Sequence, residues 1–300
     1  VDEATGNITP ESIAAVLTEK TKGIVCVHLA GWPCDMDGIM ALAEQHNLYV
    51  IEDCAQAHGA LYKGRSVGSI GHIGAWSFCQ DKIMTTGGEG GMVTTNDKQL
   101  WRKMWAYKDH GKSYAAVYET EHPPGYRWLH ESFGTNWRMT EMQGVIGRIQ
   151  LERMSDWTAK RTVNAHAILD ACTKWEAKKD YLSVPRLEVS SLFSDSKHAY
   201  YKLYVYVQAE NLPDEWSRDR IIHEINEQGV PCFSGSASEV YLEKAFDNTG
   251  LRPEPRLPVA KQLGETSLMF LVHPTLTAAE IEKTVKAIDL VFTKIYQSEA

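Results

Sequence analysis

The sequence predicts an α/β fold. A large domain built on a mostly parallel sheet precedes a smaller α+β domain. Two observations carry this. Between residues 23 and 52 a strand, a helix and a strand follow one another with short links. That is a βαβ unit, which demands parallel strands and a right-handed crossover. After a long amphipathic helix opening at Thr140 the pattern changes to strands and helices in a different order. We place the large domain at residues 1–174 and the smaller one at 175–300. The 300 residues, 43% apolar and 23% charged, suffice for one large or two medium domains.

The elements follow in order. Thr9, Pro10 and Glu11 read as N-cap, first-turn proline and first-turn acid of a helix to about Leu17. Residues 23–29 are a continuous apolar strand of the kind covered on both faces. Asp35 caps a helix in which Met36, Ile39, Met40 and Ala43 fall at helical spacing. Residues 48–52 are the next strand, and Asp53 stands at its carboxyl end, where such sheets bind ligands. Residues 73–78 and 91–95 are two further strands, joined by the turn that holds Lys82. Asn96 caps a helix to about Lys108, ended by His110 and Gly111. Residues 115–133 have no period and read as a long loop. Thr140 and Gln143 form a capping box for a helix with the apolar stripe Met142, Val145, Ile146, Ile149 and Met154. It is expected to continue past Trp157 toward Ala171. Beyond it, residues 198–207 read as a strand, 218–227 as a helix and 229–233 as a strand. Thr277 and Glu280 box the last helix, to about Ile295.

Composition narrows the function. A net charge of −8 repels nucleic acid and anionic membranes. No apolar run reaches transmembrane length. The six cysteines form no C-x-x-C pair and read as reduced core thiols of a cytosolic protein. The opening Val1-Asp-Glu lacks both a signal-peptide apolar region and a Met, so a fragment is expected.

The chemistry centres on Lys82. It lies between a short apolar strand and Gly87-Gly-Glu-Gly-Gly91, a turn that lets backbone approach a ligand closely. A lone lysine is ordinarily a solvated surface charge. Asp53 has two readings: a helix N-cap, or a carboxylate that keeps a pyridine nitrogen protonated. Gln56 is a turn amide or a contact to the ring hydroxyl. Ser77 is a small buried hydroxyl or a phosphate donor five positions before the lysine. A lysine able to form a Schiff base, a carboxylate at a strand end and a nearby serine are what a pyridoxal phosphate site needs. His28 and His58 read as core or turn histidines, with proton transfer as the alternative. The glycine turn lacks a G-K-[ST] ending, which excludes a nucleoside triphosphate loop. No metal-ligand spacing and no G-x-S-x-G elbow occur.

In this order the residues resemble the DegT/StrS family of sugar aminotransferases, within the fold type I pyridoxal phosphate enzymes. The matching phrases are Val27-His-Leu-Ala-Gly31 with Asp35-Met-Asp37, Ile51-Glu-Asp-Cys-Ala-Gln-Ala-His-Gly-Ala60 and Tyr62-Lys-Gly-Arg65. Ser77-Phe78, Lys82, Gly88-Glu-Gly-Gly91, Gly134-Thr-Asn-Trp-Arg-Met139 and Gln150-Leu-Glu-Arg153 complete them. The resemblance implies that Lys82 is the Schiff-base lysine, Asp53 the pyridinium partner, Gln56 a contact to the ring oxygen and Ser77 a phosphate ligand. It implies that Asn136 reaches the cofactor phosphate of the other subunit, which makes a homodimer necessary. The implied activity moves an amino group from glutamate to a keto sugar on a nucleotide. Family members also carry a preceding segment with a small-residue phosphate loop and a stacking aromatic, and commonly an acid where His72 stands. Three alternatives stay open: a sugar dehydratase on the same fold, which resembles this family with histidine at the lysine position; a non-catalytic regulatory or binding protein; and an inactive fragment.

Overall fold

The computed structural model describes residues 1–187 and 191–299. In chain order the first half forms α1 (Pro10–Ala14), β1 (Gly23–Val27), α2 (Met36–His46), β2 (Tyr49–Asp53), the hairpin β3 (Leu61–Tyr62) and β4 (Arg65–Ser66), β5 (Ile73–Ser77) and β6 (Gly91–Thr94). Helices α3 (Lys98–Lys108), α4 (Tyr114–Tyr118), α5 (Glu141–Glu152) and α6 (Met154–Lys179) follow. The last part forms β7 (Leu182–Ser183), β8 (Leu203–Val207), α7 (Arg218–Glu227), β9 (Cys232–Phe233), α8 (Pro258–Thr266), β10 (Ser267–Phe270) and α9 (Ala278–Ser298). Local chemistry sets many of these ends. Thr9 with Ser12, Thr140 with Gln143 and Thr277 with Glu280 make reciprocal capping boxes. The Asp35 side chain accepts from Gly38 N–H, and α2 ends at Asn47 in the left-handed region, φ 52°.

One sheet has the order β1-β2-β5-β6. The first three strands are parallel and β6 runs antiparallel to β5. A second sheet, β7-β8-β10-β9, is antiparallel. Two apolar cores match the two sheets. One joins Ile24, Cys26 and Val50 to Met36, Ile39 and Ala43 of α2. The other packs α6, α7 and α9 on the second sheet, with Trp175 and Phe292 ring centres 5.9 Å apart.

Four expectations are corrected. Strand β1 is covered on one face only: Ile24 and Cys26 are buried, whereas Val25 and Val27 are 59% and 39% exposed. An apolar run carries no information about which face finds a cover. The helix from Thr140 is two helices that meet at Arg153, and the second continues to Lys179. The supposed long loop begins with a helical turn, Tyr114–Tyr118, capped by Ser113. Finally, the α5 stripe faces outward: Met142, Val145 and Ile149 are exposed.

Strand register decides which side chains share a face, because partners across a sheet point the same way and successive residues alternate. Val27 pairs with Asp53 and Asp53 with Ala75. Asp53, Ala75 and Ser77 therefore lie on the exposed face with Val25 and Val27. Glu52 points the opposite way and is fully buried. Its Oε1 accepts from Ile70 N–H at 2.8 Å and Gly71 N–H at 2.6 Å. Its Oε2 accepts from Gly68 N–H at 2.8 Å and from His28 Nε2 at 3.1 Å. His28 Nδ1 accepts from Cys34 N–H, which leaves the ring hydrogen on Nε2, facing Glu52. Burial alone would raise the Glu52 pKa. The bonds from His28, Gly71 and Gly68 outweigh it and hold the carboxyl below its ordinary value. Cys54 Sγ lies within 4.8 Å of His28 and Glu52. Burial raises that thiol's pKa strongly, and both carboxylate oxygens already accept two bonds, so the trio reads as a closed hydrogen-bond network.

Glu52→Gln turns an amide N–H₂ toward donors that have lost their acceptor. We expect a loss of about 3 kcal/mol or more in urea unfolding, with the fold otherwise intact. Because the folded pKa is depressed, this stabilisation is complete above the unfolded value of about 4.3 and fades as pH falls through the folded one. Unfolding midpoints of wild type and variant should therefore converge in acid. A constant gap down to the lowest pH that still supports folding contradicts the assignment.

Candidate active site

The open sheet face ends in polar groups. Asp53 closes β2 and Ser77 closes β5, the neighbouring strand. Ser77 lies two residues beyond Asp53's partner, Ala75, so the two backbones are about 8 Å apart by strand geometry. Asp53 Oδ1 accepts from Ala55 N–H at 3.0 Å, and its other oxygen has no partner among the described residues. Gln56 Oε1 accepts from Ala30 N–H at 2.7 Å, which leaves its N–H₂ to donate. Ser77 Oγ accepts from Cys79 N–H at 3.3 Å and keeps its own hydrogen.

Lys82 sits on the turn that leaves β5. Its neighbours Ile83 and Met84 are buried and anchor the turn. Phe78 N–H donates to Gly90 carbonyl and Thr86 N–H to Phe78 carbonyl, which closes it. A Cβ on Gly90 would run into Thr86 Oγ1, so the closure requires glycine. Helix α5 clamps the turn from outside: Gln150 Oε1 accepts from Thr85 N–H and Gln143 Nε2 donates to Glu89 carbonyl. Lys82 is half-buried, with Nζ 5.1 Å from the centre of the Tyr201 ring. It forms no ion pair among the described residues.

Sequence reasoning missed the partners that the second half of the chain brings here. Tyr201 donates to Asp81 Oδ2 at 2.6 Å. Burial and Asp81 both raise the phenol's pKa, so it stays the donor. That hydrogen bond, with help from Lys82, holds Asp81 below the usual carboxylate range. His58 is buried beside Trp76 and Phe78, with ring centres 5.2 and 5.8 Å away. Burial, aided by Lys82 and Arg161, lowers its pKa to about 4, so it is a neutral ring near neutral pH. The Tyr201 contacts join residues more than a hundred positions apart, and no local pattern announces them.

Asn136 belongs to another segment. It pairs with Asp109 in an isolated antiparallel bridge, and its side chain is exposed. Arg138 anchors the same segment through Asp109 at 2.7 Å, and Trp137 N–H bonds to Lys108 carbonyl. The chain thus gathers Asp53, Gln56, Ser77 and Lys82 at one end of the sheet, whereas Asn136 is bridged to Asp109.

The gathered groups suit pyridoxal phosphate: an acceptor for a ring N–H, an amide donor for the ring oxygen, a hydroxyl for phosphate, and an amine. A model of the DegT/DnrJ/EryC1/StrS aminotransferase family matches residues 1–289. The chain is 33% identical over 294 residues to the GDP-perosamine synthase of Caulobacter vibrioides, covering 97% of this chain and 71% of that protein. Among solved structures, the aminotransferase from Psychrobacter cryohalolentis superposes with a TM-score of 0.97 at 87% identity, covering 99% of this chain and 75% of that one. S. venezuelae DesV, solved in complex with a ketimine intermediate, gives 0.79 at 26% identity over 97% of this chain and 70% of that one. The chain belongs to the DegT/DnrJ/EryC1/StrS family and is a pyridoxal phosphate-dependent aminotransferase.

Proposed function

We propose that this chain transfers an amino group from an amino acid, glutamate by the family pattern, to a keto sugar carried on a nucleotide. The observation that carries the reading is the placing of Asp53 and Ser77 on one open sheet face, with Lys82 on the turn that follows. When bound, pyridoxal phosphate supplies an electron sink for the carbanion at the substrate carbon. Lys82 Nζ is the amine that anchors the cofactor and, once free, carries the proton away from the substrate carbon and back. The free oxygen of Asp53 keeps the ring nitrogen protonated. The Gln56 amide donates to the ring oxygen, and the Ser77 hydroxyl to the phosphate. Lysine rather than histidine at position 82 favours amino transfer over dehydration.

The working unit is a homodimer. Met142 at 75%, Phe133 at 100% and Trp137 at 69% exposure belong to an apolar surface around Asn136 and α5 that is unusual on a lone soluble chain. A second copy seated there brings its Asn136 toward the neighbouring cofactor phosphate. All six cysteines are free thiols, which suits a cytoplasmic enzyme. No helix among the described residues is long and apolar enough to cross a membrane.

With pyridoxal phosphate added, the protein should acquire a visible absorbance band that glutamate bleaches. Lys82→Ala should abolish the band, and Asp53→Asn should slow the bleaching by at least about 10²-fold. A band of equal strength in Lys82→Ala would falsify the assignment. For the assembly, Ile146→Glu should shift the sedimenting species from dimer to monomer at micromolar concentration, and Asn136→Ala should weaken cofactor retention while leaving the dimer whole. A wild-type chain that sediments as a monomer rules out the shared site.

A further inference from the structure

Positive charge gathers beside Lys82, and among the described residues none of it is held in an ion pair. Lys202 follows Tyr201 in sequence, and its Nζ lies 5.0 Å from the centre of the same ring that Lys82 approaches. Its side chain is partly exposed. Behind it sits Arg161 of α6, only 2% exposed. The guanidinium Nη1 donates to the carbonyls of Tyr200 and Tyr201 at 3.1 and 3.3 Å, and the buried Nε has no acceptor. Arg161 has no carboxylate partner among the described residues. His273 adjoins both: its backbone carbonyl accepts from Asn164 of α6, and burial, aided by Arg161 and Lys202, lowers its pKa. Asp81, on the Lys82 turn, is exposed and bound to Tyr201 rather than to any of the three cations. Lys82, Lys202 and the unpaired Arg161 thus stand close together in a protein whose net charge is −8. A buried guanidinium without a counter-ion is costly unless an anion arrives to meet the field.

We propose that Lys202, backed by the buried guanidinium of Arg161, is the carboxylate subsite that receives the amino-acid donor beside Lys82. The inference rests on the aminotransferase reading above. A donor amino acid carries its carboxylate on the same carbon as the reacting amine, so the cation that recognises it must stand close to Lys82. The diphosphate of a sugar nucleotide is held away from the reacting carbon by the sugar ring and needs a cation farther off. Arg161 makes no contact with the donor itself. Its charge favours an anion at Lys202, and its bonds to the Tyr200 and Tyr201 carbonyls position that segment.

Glutarate has the two carboxylates of the donor but no amine, so it tests the subsite without turnover. Titration calorimetry on the cofactor-loaded chain should give a glutarate affinity at least about tenfold weaker in Lys202→Met than in wild type. Lys202→Arg should stay within a few-fold. The glutamate KM should rise in Lys202→Met with kcat little changed, the pattern of a lost binding contact. Lys202 is partly exposed, so its melting temperature should match wild type. Equal glutarate affinity in wild type and Lys202→Met overturns the subsite. So does a loss confined to a nucleoside diphosphate, which would assign Lys202 to the other substrate. Failure of the aminotransferase reading shows separately, as the absence of the Lys82-dependent band.

Discussion

The active end of this molecule depends on one buried carboxylate. Glu52 accepts four hydrogen bonds, three from the loop before β5 and one from His28 just beyond β1. Two segments are thereby tied to β2 at the level where its neighbour Asp53 emerges. The network tolerates a negative charge in the core because donors surround it on every lone pair, which is the condition under which a buried ion is stable. Removing it would loosen the strands whose ends carry the chemistry.

Strand alternation turns two adjacent acids to opposite tasks. Glu52 faces the core and Asp53 faces the open side, because successive side chains of a strand point to opposite faces. The register with β5 then brings Ser77 to the same face as Asp53. The glycine turn after β5 carries Lys82 outward from buried Ile83 and Met84. Groups held by strand ends and an anchored turn need little reordering before they meet a ligand, which is where much of an enzyme's advantage lies.

The remaining site is assembled from afar. Tyr201 and Lys202 come from the segment before β8, and Arg161 comes from α6, yet all meet at the Lys82 turn. The same helix belongs to the second core through Ala165, Ile168 and Leu169. Any movement of that core relative to the first sheet changes the electrostatic field at Lys82. The outward apolar stripe of α5 follows a related logic: the helix clamps the turn with Gln143 and Gln150 on one side and leaves Met142 and Ile149 exposed on another.

The sequence by itself determined the local elements and the list of chemical groups. Capping boxes at Thr140 and Thr277, the βαβ unit and helix 218–227 were legible because short-range hydrogen bonds and periodicity specify them. Lys82, Asp53, Gln56 and Ser77 stood out as candidates in the sequence because a glycine turn and strand ends mark their neighbourhood. Only the tertiary structure decided which face of β1 is covered, that α5 and α6 part at Arg153, that Glu52 rather than Asp53 is the buried acid, and that Arg161 and Lys202 stand beside Lys82. Each of these depends on contacts between residues distant in the chain. A residue's neighbours in sequence do not encode such contacts, because packing and burial, not propensity, select them.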